Sequence, residues 1–248
     1  MTQQKQDNHR PARDISRRGF VSCASVTGIA LAVPAWMAAR GGSAFQSKEA
    51  PHEEEGVAPP EDLMREHGVL KRVLLIYEEG IRRIDAKQQL PPEPIKNSAQ
   101  IIRSFIEDYH EKLEEDYLFP RFEKAKKLID LTTVLRAQHQ AGRTLTDQIT
   151  QLGTAASLRD ASSAAKLRDA MRQFIRMYAP HEAREDTVLF PALRTIVSRN
   201  EFDALGEDFE KKEHQLFGED GFEKMVDRVA SIERTLGIYD LAQFTPHL

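Results

Sequence analysis

One phrase occurs twice in this chain: HEKLEEDYLFP from His110 to Pro120, and HEAREDTVLFP from His181 to Pro191, 71 residues later. The copies share a His, the Glu after it, a Glu four residues after the His, and a closing Leu-Phe-Pro. On a helix, residues i and i+4 lie about 40° apart around the axis and one turn along it. His110 with Glu114, and His181 with Glu185, therefore each aim an imidazole and a carboxylate at one point, which is half of a metal site. Two further histidines complete the pattern: His67 stands 43 residues before His110, and His139 stands 42 before His181. Each half reads as a helix with one His followed by a helix with His-x-x-x-Glu. In a four-helix bundle this arrangement generates an approximate twofold axis and converges four His and two Glu on the interior. A single His flanked by Leu63 and Leu70, or by Leu135 and Leu145, reads as a hydrogen-bonded core residue; four with this symmetry read as metal ligands.

Hydrophobic spacing supports the same architecture. Leu63, Val69, Leu70, Val73, Leu74, Ile76 and Ile81 recur at helical intervals from Glu61 until Pro91, Pro92 and Pro94, which are expected to stop helix one. A second helix, capped by Asn97 or Ser98, carries Ile101, Ile102, Phe105, Ile106, Leu113 and Leu118, with a break or bend at Pro120 and resumption through Lys127. A third is expected over about 131–152, and GTAASLRDASS loosens the chain before a fourth over about 163–198. Residues 201–236 supply one or two more helical segments, divided near 218–221. No segment alternates with β-branched residues. The expected fold is all-α: an up-down four-helix bundle over 58–198 with a C-terminal helical extension over 199–248.

The N-terminus is set apart from that fold. Paired arginines Arg17 and Arg18, an apolar run from Phe20 to about Ala39 and small residues around Ala44 read as a removable export signal over residues 1–44. Read as a membrane anchor, the run is marginal, since it carries Ser, Cys, Thr, Gly and Pro within about 20 residues. Ser-Arg-Arg-Gly-Phe resembles the twin-arginine export motif, whose pathway moves folded proteins. That resemblance implies the twin-arginine export machinery as a partner, a periplasmic or otherwise exported mature protein, and no stable anchor after cleavage. Cleavage after Ala44 leaves 29 Lys+Arg against 37 Asp+Glu, a net of about −8, which disfavours DNA and anionic lipid as partners. The sole cysteine, Cys23, goes with the signal, so the mature chain uses no disulfide, Cys-based zinc site or Cys nucleophile. Residues 45–57 form an acidic, flexible linker, and His52 within it reads as solvated surface.

Over about residues 58–198 the chain resembles the hemerythrin and HHE cation-binding family, with the doubled His-Glu-x-x-Glu…Leu-Phe-Pro as the most specific part. The resemblance implies a non-heme di-iron centre, two irons per chain. By its motif His67, His110, Glu114, His139, His181 and Glu185 are the iron ligands, and Glu114 and Glu185 the bridging carboxylates. Imidazole alone does not choose among Fe, Zn, Cu and Ni, whereas paired carboxylates in a bundle suit di-iron and di-manganese sites. Six protein ligands on two six-coordinate irons leave open positions for O2, peroxide or NO. Three functions follow: oxygen binding or sensing, an oxidase- or peroxidase-type enzyme, or metal storage and buffering.

Neighbouring residues carry weaker expectations. Glu111 and Glu182 follow the ligand histidines and point about 100° away, which suits salt bridging better than ligation. Asp186, five after His181, sits where respiratory hemerythrins place a carboxylate ligand; Glu185 is preferred because it matches Glu114. Pro180 is a candidate kink, and Tyr109 and Tyr178 read as core packing. His214 reads as surface, and His9 and His247 are terminal. Arg143 occupies the place of a second His in the family's oxygen carriers, on the face of His139. It either extends to the bundle surface or stays near the open site, where its charge would favour peroxide over reversible oxygen binding. Nothing resembles a Gly-rich phosphate loop.

Overall fold

The computed structural model describes residues 57–246. The expected export signal, most of the linker, His9, His52 and His247 lie outside the described residues. Among the described residues there is no strand, and no helix is long and apolar enough to cross a membrane.

Four long helices form the bundle. Helix α1 is Pro59–Asp85, with prolines at its first turn, acids after them and Arg82 and Arg83 in its last turn, in keeping with the helix dipole. Helix α2 runs continuously over 92–125, alternating α-helical segments with wider π-helical ones at Ile102–His110 and Glu114–Leu118. Helix α3 is Ile129–Leu152. Helix α4 spans 161–193 as Ala161–Arg184, a π-helical turn Glu185–Leu189, and Phe190–Leu193. Each long helix packs on its neighbours in the ring, α1 on α2, α2 on α3, α3 on α4 and α4 on α1.

Several boundaries differ from the expectation, for local reasons. Helix α1 ends at Asp85, where Lys87 takes a positive φ of 53°. The prolines expected to stop it instead start α2, since a first-turn residue needs no N–H partner. Ser98 is therefore interior and its hydroxyl donates back to the Pro94 carbonyl at 2.8 Å. Pro120 and Pro191 neither break nor end a helix. Each follows directly on a π-helical turn, whose wider spacing relieves the crowding of the carbonyl four residues back. The stretch expected to be loose holds a short turn of helix, Ala155–Arg159, and Asp160 then caps α4 by accepting from Ser163 N at 2.8 Å.

The C-terminal extension is two helices, α5 (Arg199–Phe217) and α6 (Gly221–Leu236), followed by a 3-10 turn at Leu241–Phe244. Both pack on α1. They bury Leu205, Phe209, Val229 and Leu236, and Arg72 forks onto Glu233 at 2.9 and 2.5 Å. The outer side of α1 is thus covered, which is why α1 carries buried residues around more of its circumference than a one-faced helix would.

Candidate metal centre

The structure brings all six singled-out side chains together in the bundle interior. His67 comes from α1, His110 and Glu114 from α2, His139 from α3, and His181 and Glu185 from α4, and every one is buried. The imidazoles form two pairs, with ring centroids 4.7 Å apart for His67 and His110, and 5.1 Å for His139 and His181. Nε2 of His67 and of His110 are 3.1 Å apart. The two carboxylates lie between the pairs. Glu114 places Oε1 3.9 Å from His110 Nε2 and Oε2 3.4 Å from His139 Nε2. Glu185 places Oε2 3.4 Å from His67 Nε2 and 3.1 Å from His181 Nε2.

All four rings turn Nε2 inward because Nδ1 is held from outside. His110 Nδ1 meets Glu66 at 2.7 Å, His67 Nδ1 meets Asp186 at 2.7 Å, His139 Nδ1 meets Glu115 at 3.0 Å, and His181 Nδ1 meets Gln138 Oε1 at 2.9 Å. Each such partner accepts the Nδ1 proton, which leaves the Nε2 lone pair free for a cation. Asp186 thus supports an imidazole from behind and does not enter the centre. The phenylalanines of the two Leu-Phe-Pro endings complete the packing: Phe119 stacks on His139 and Phe190 on His67, each on a histidine of a neighbouring helix.

The outer partners repeat the twofold pattern. An offset of 71 carries α2 onto α4 and 72 carries α1 onto α3, so Glu115 corresponds to Asp186, Glu111 to Glu182, Lys71 to Arg143 and Glu66 to Gln138. Lys71 sits 3.2 Å from Asp186, and Arg143 sits 2.8 Å from Glu115 and from Glu111. Arg143 takes neither of its two expected courses: it stays off the surface, but Glu111 and Glu115 engage its guanidinium on the outer, Nδ1 side of His139 rather than at the open site. Glu111 also accepts the Tyr178 hydroxyl at 2.7 Å, in agreement with its reading as a salt-bridging group. Glu182 is buried, and burial pushes its carboxyl up to about 7. Tyr109 packs against Phe105 and Phe217, while Tyr178 packs on Phe174 and against His181. His214 is exposed.

Glu66, Glu115, Gln138, Lys71 and the role of Asp186 were not found from sequence. The same offset that aligned the ligands would have paired them, since Glu66 and Gln138 directly precede His67 and His139.

The centre has the electrostatics of a cation site. Both oxygens of Glu114, both of Glu185 and Nε2 of His139 are buried without a hydrogen-bond partner. Such atoms are costly to bury unless something positive meets them. Protons do this in the bare protein. Although burial opposes it, Asp186 and Glu185 raise His67 to about 10, and Glu114 and Glu115 raise His139 to about 10. Burial and the neighbouring Glu185 raise the Glu114 carboxyl, whereas burial lowers His110 to about 4. Divalent ions would displace such protons. Imidazole nitrogen with carboxylate oxygen suits iron, manganese or zinc.

Comparison with known proteins agrees with this arrangement. The family model described as Hemerythrin HHE cation binding domain matches twice, over residues 58–157 and 130–245, each match spanning one of the symmetry-related halves and overlapping in α3. Proteins of Mycobacterium tuberculosis and Mycobacterium bovis, each described as uncharacterized, are 59% identical over 196 residues, covering 79% of this chain and 77% of theirs. No solved structure matches. With the doubled motif, the four-helix bundle and both family matches in agreement, the chain belongs to the hemerythrin HHE cation-binding family.

Proposed function

We propose that this protein holds two non-heme irons through His67, His110, Glu114, His139, His181 and Glu185, and handles O2, peroxide or NO outside the cytoplasm. The observation that carries the reading is the placement of Glu114 and Glu185. Both are buried, both lie between two histidine pairs, and neither has a hydrogen-bond partner. Glu114 turns one oxygen to each pair and Glu185 holds a single oxygen between His67 and His181, so each carboxylate reaches both pairs, which suits two ions better than one. When bound, the irons would supply open coordination positions and one-electron redox changes.

The chain's own residues would do the rest. Glu66, Asp186, Glu115 and Gln138 hold the rings in one tautomer and orientation, and Phe119 and Phe190 keep water from two of them. Arg143 stands where the family's oxygen carriers have an imidazole. A guanidinium held by Glu111 and Glu115 cannot ligate, which would leave the His139–His181 half one nitrogen donor short and favours peroxide handling over reversible oxygen carriage. Optical and kinetic measurements on iron-loaded protein exposed to oxygen, then to peroxide, test this. Steady peroxide consumption, with little optical change that reverses on evacuation, is expected. Two retained irons with no response to either reagent would replace the reading with iron storage or buffering.

A further inference from the structure

Resting on the two-metal reading, we propose that the two halves of the centre differ in metal affinity, with the His67–His110 half filling first, and that Gln138 sets the difference.

The twofold pattern of ring partners fails at one place. The groups that hold and stack on the four rings have mates of the same chemistry in the other half, with one exception. Farther out the symmetry is looser, since Tyr178 maps onto Glu107 and the buried Asp62 and Glu213 beside Glu66 have no counterpart among the described residues. Carboxylates Asp186 and Glu115 hold His67 and His139, cations Lys71 and Arg143 sit on those carboxylates, and Glu182 and Glu111 follow the next pair of histidines. Phe190 and Phe119 stack on corresponding rings. The exception is the pair behind His110 and His181. Glu66 meets the first at 2.7 Å and Gln138 meets the second at 2.9 Å. The two contacts orient their rings alike, so the difference between them is charge.

A carboxylate that accepts an imidazole N–H adds electron density to the ring and a negative charge close to the ion, whereas an amide accepts the same hydrogen bond without the charge. Glu66 is fully buried, where solvent screens its charge little. The cations on each half are met by carboxylates, Lys71 by Asp186 and Arg143 by Glu115 and Glu111, so neither stands uncompensated beside a ring. The charge missing at Gln138 weakens cation binding at the His139–His181 half. Gln138 acts through His181, as a positioning residue.

The test uses full-length protein stripped by chelation and titrated with cobalt(II), followed by calorimetry and visible absorption. Wild type should bind two cobalts in separate steps whose dissociation constants differ by about 10–100-fold, the range over which such outer partners act. Gln138→Glu should tighten the weaker step and Glu66→Gln should weaken the tighter one, each narrowing the gap to about threefold or less. Both changes are nearly isosteric, and circular dichroism establishes that each variant is folded; if one fails to fold, the other decides. Two cobalts bound with equal affinity in wild type, or a gap that survives both substitutions, would overturn the inference. Fewer than two cobalts on folded wild type would instead overturn the two-metal reading itself.

Discussion

Helix propensity and tertiary packing make opposite predictions for Gly142→Ala. Gly142 lies inside α3, one turn beyond His139, with nothing in its backbone that requires glycine. Propensity alone says that alanine stabilises the helix by about 1 kcal/mol. The structure says otherwise. A Cβ at this position would stand 2.0 Å from the Tyr178 hydroxyl and 2.8 Å from the ring carbon that bears it. Tyr178 cannot step aside cheaply, because its ring lies against Phe174 and His181 and its hydroxyl donates to buried Glu111 at 2.7 Å. Overpacking of this kind costs about 1–3 kcal/mol. Loss of the hydrogen bond to a charged acceptor costs about 1.5–3 kcal/mol more. After the propensity gain, a net loss of about 1.5–5 kcal/mol remains. Urea unfolding of chelated protein, followed by circular dichroism, measures it without the contribution of bound metal. Tyr178→Phe removes the atom in closest conflict, so the double variant should be no less stable than Gly142→Ala alone, although Tyr178→Phe by itself destabilises. An unchanged or raised midpoint for Gly142→Ala would refute the reasoning.

Protein from iron-replete cells should carry close to two irons per chain; Glu114→Ala or Glu185→Ala should lower occupancy of both, and His214→Ala neither, as read by metal analysis. Arg143→Met leaves buried Glu111 with the Tyr178 hydroxyl alone and Glu115 with Lys112 and His139, and should cost about 1–3 kcal/mol in urea unfolding. Lys71→Met, at the related but exposed position, should cost less than about 1 kcal/mol; equal losses would show that burial does not govern these pairs. Replacing both Arg17 and Arg18 with Lys should retain the precursor in the cytoplasm with its metal bound, and normal export of that variant, detected by fractionation, would point to another route.

What the sequence determined by itself was whatever depends on regular spacing along a helix. The period of Leu63, Leu70 and Val73 marks α1 as helical, and the four-residue step from His110 to Glu114 places both groups on one face wherever that helix lies. The doubled phrase adds the symmetry, and symmetry with helices is enough to bring four imidazoles and two carboxylates to one place. Tertiary structure decided what depends on side-chain reach between helices. Glu66 is 44 residues from the imidazole it holds, and Asp186 is 119 from His67. Arg143 had two courses open to it until Glu111 and Glu115 were seen to flank it. The π-helical turns before Pro120 and Pro191 likewise carry no local signature beyond the prolines, which on their own argue for a break. Periodicity is a property of one helix and can be read along it. The partners behind the ligands depend on the distance and rotation between helices, which packing of the whole bundle sets.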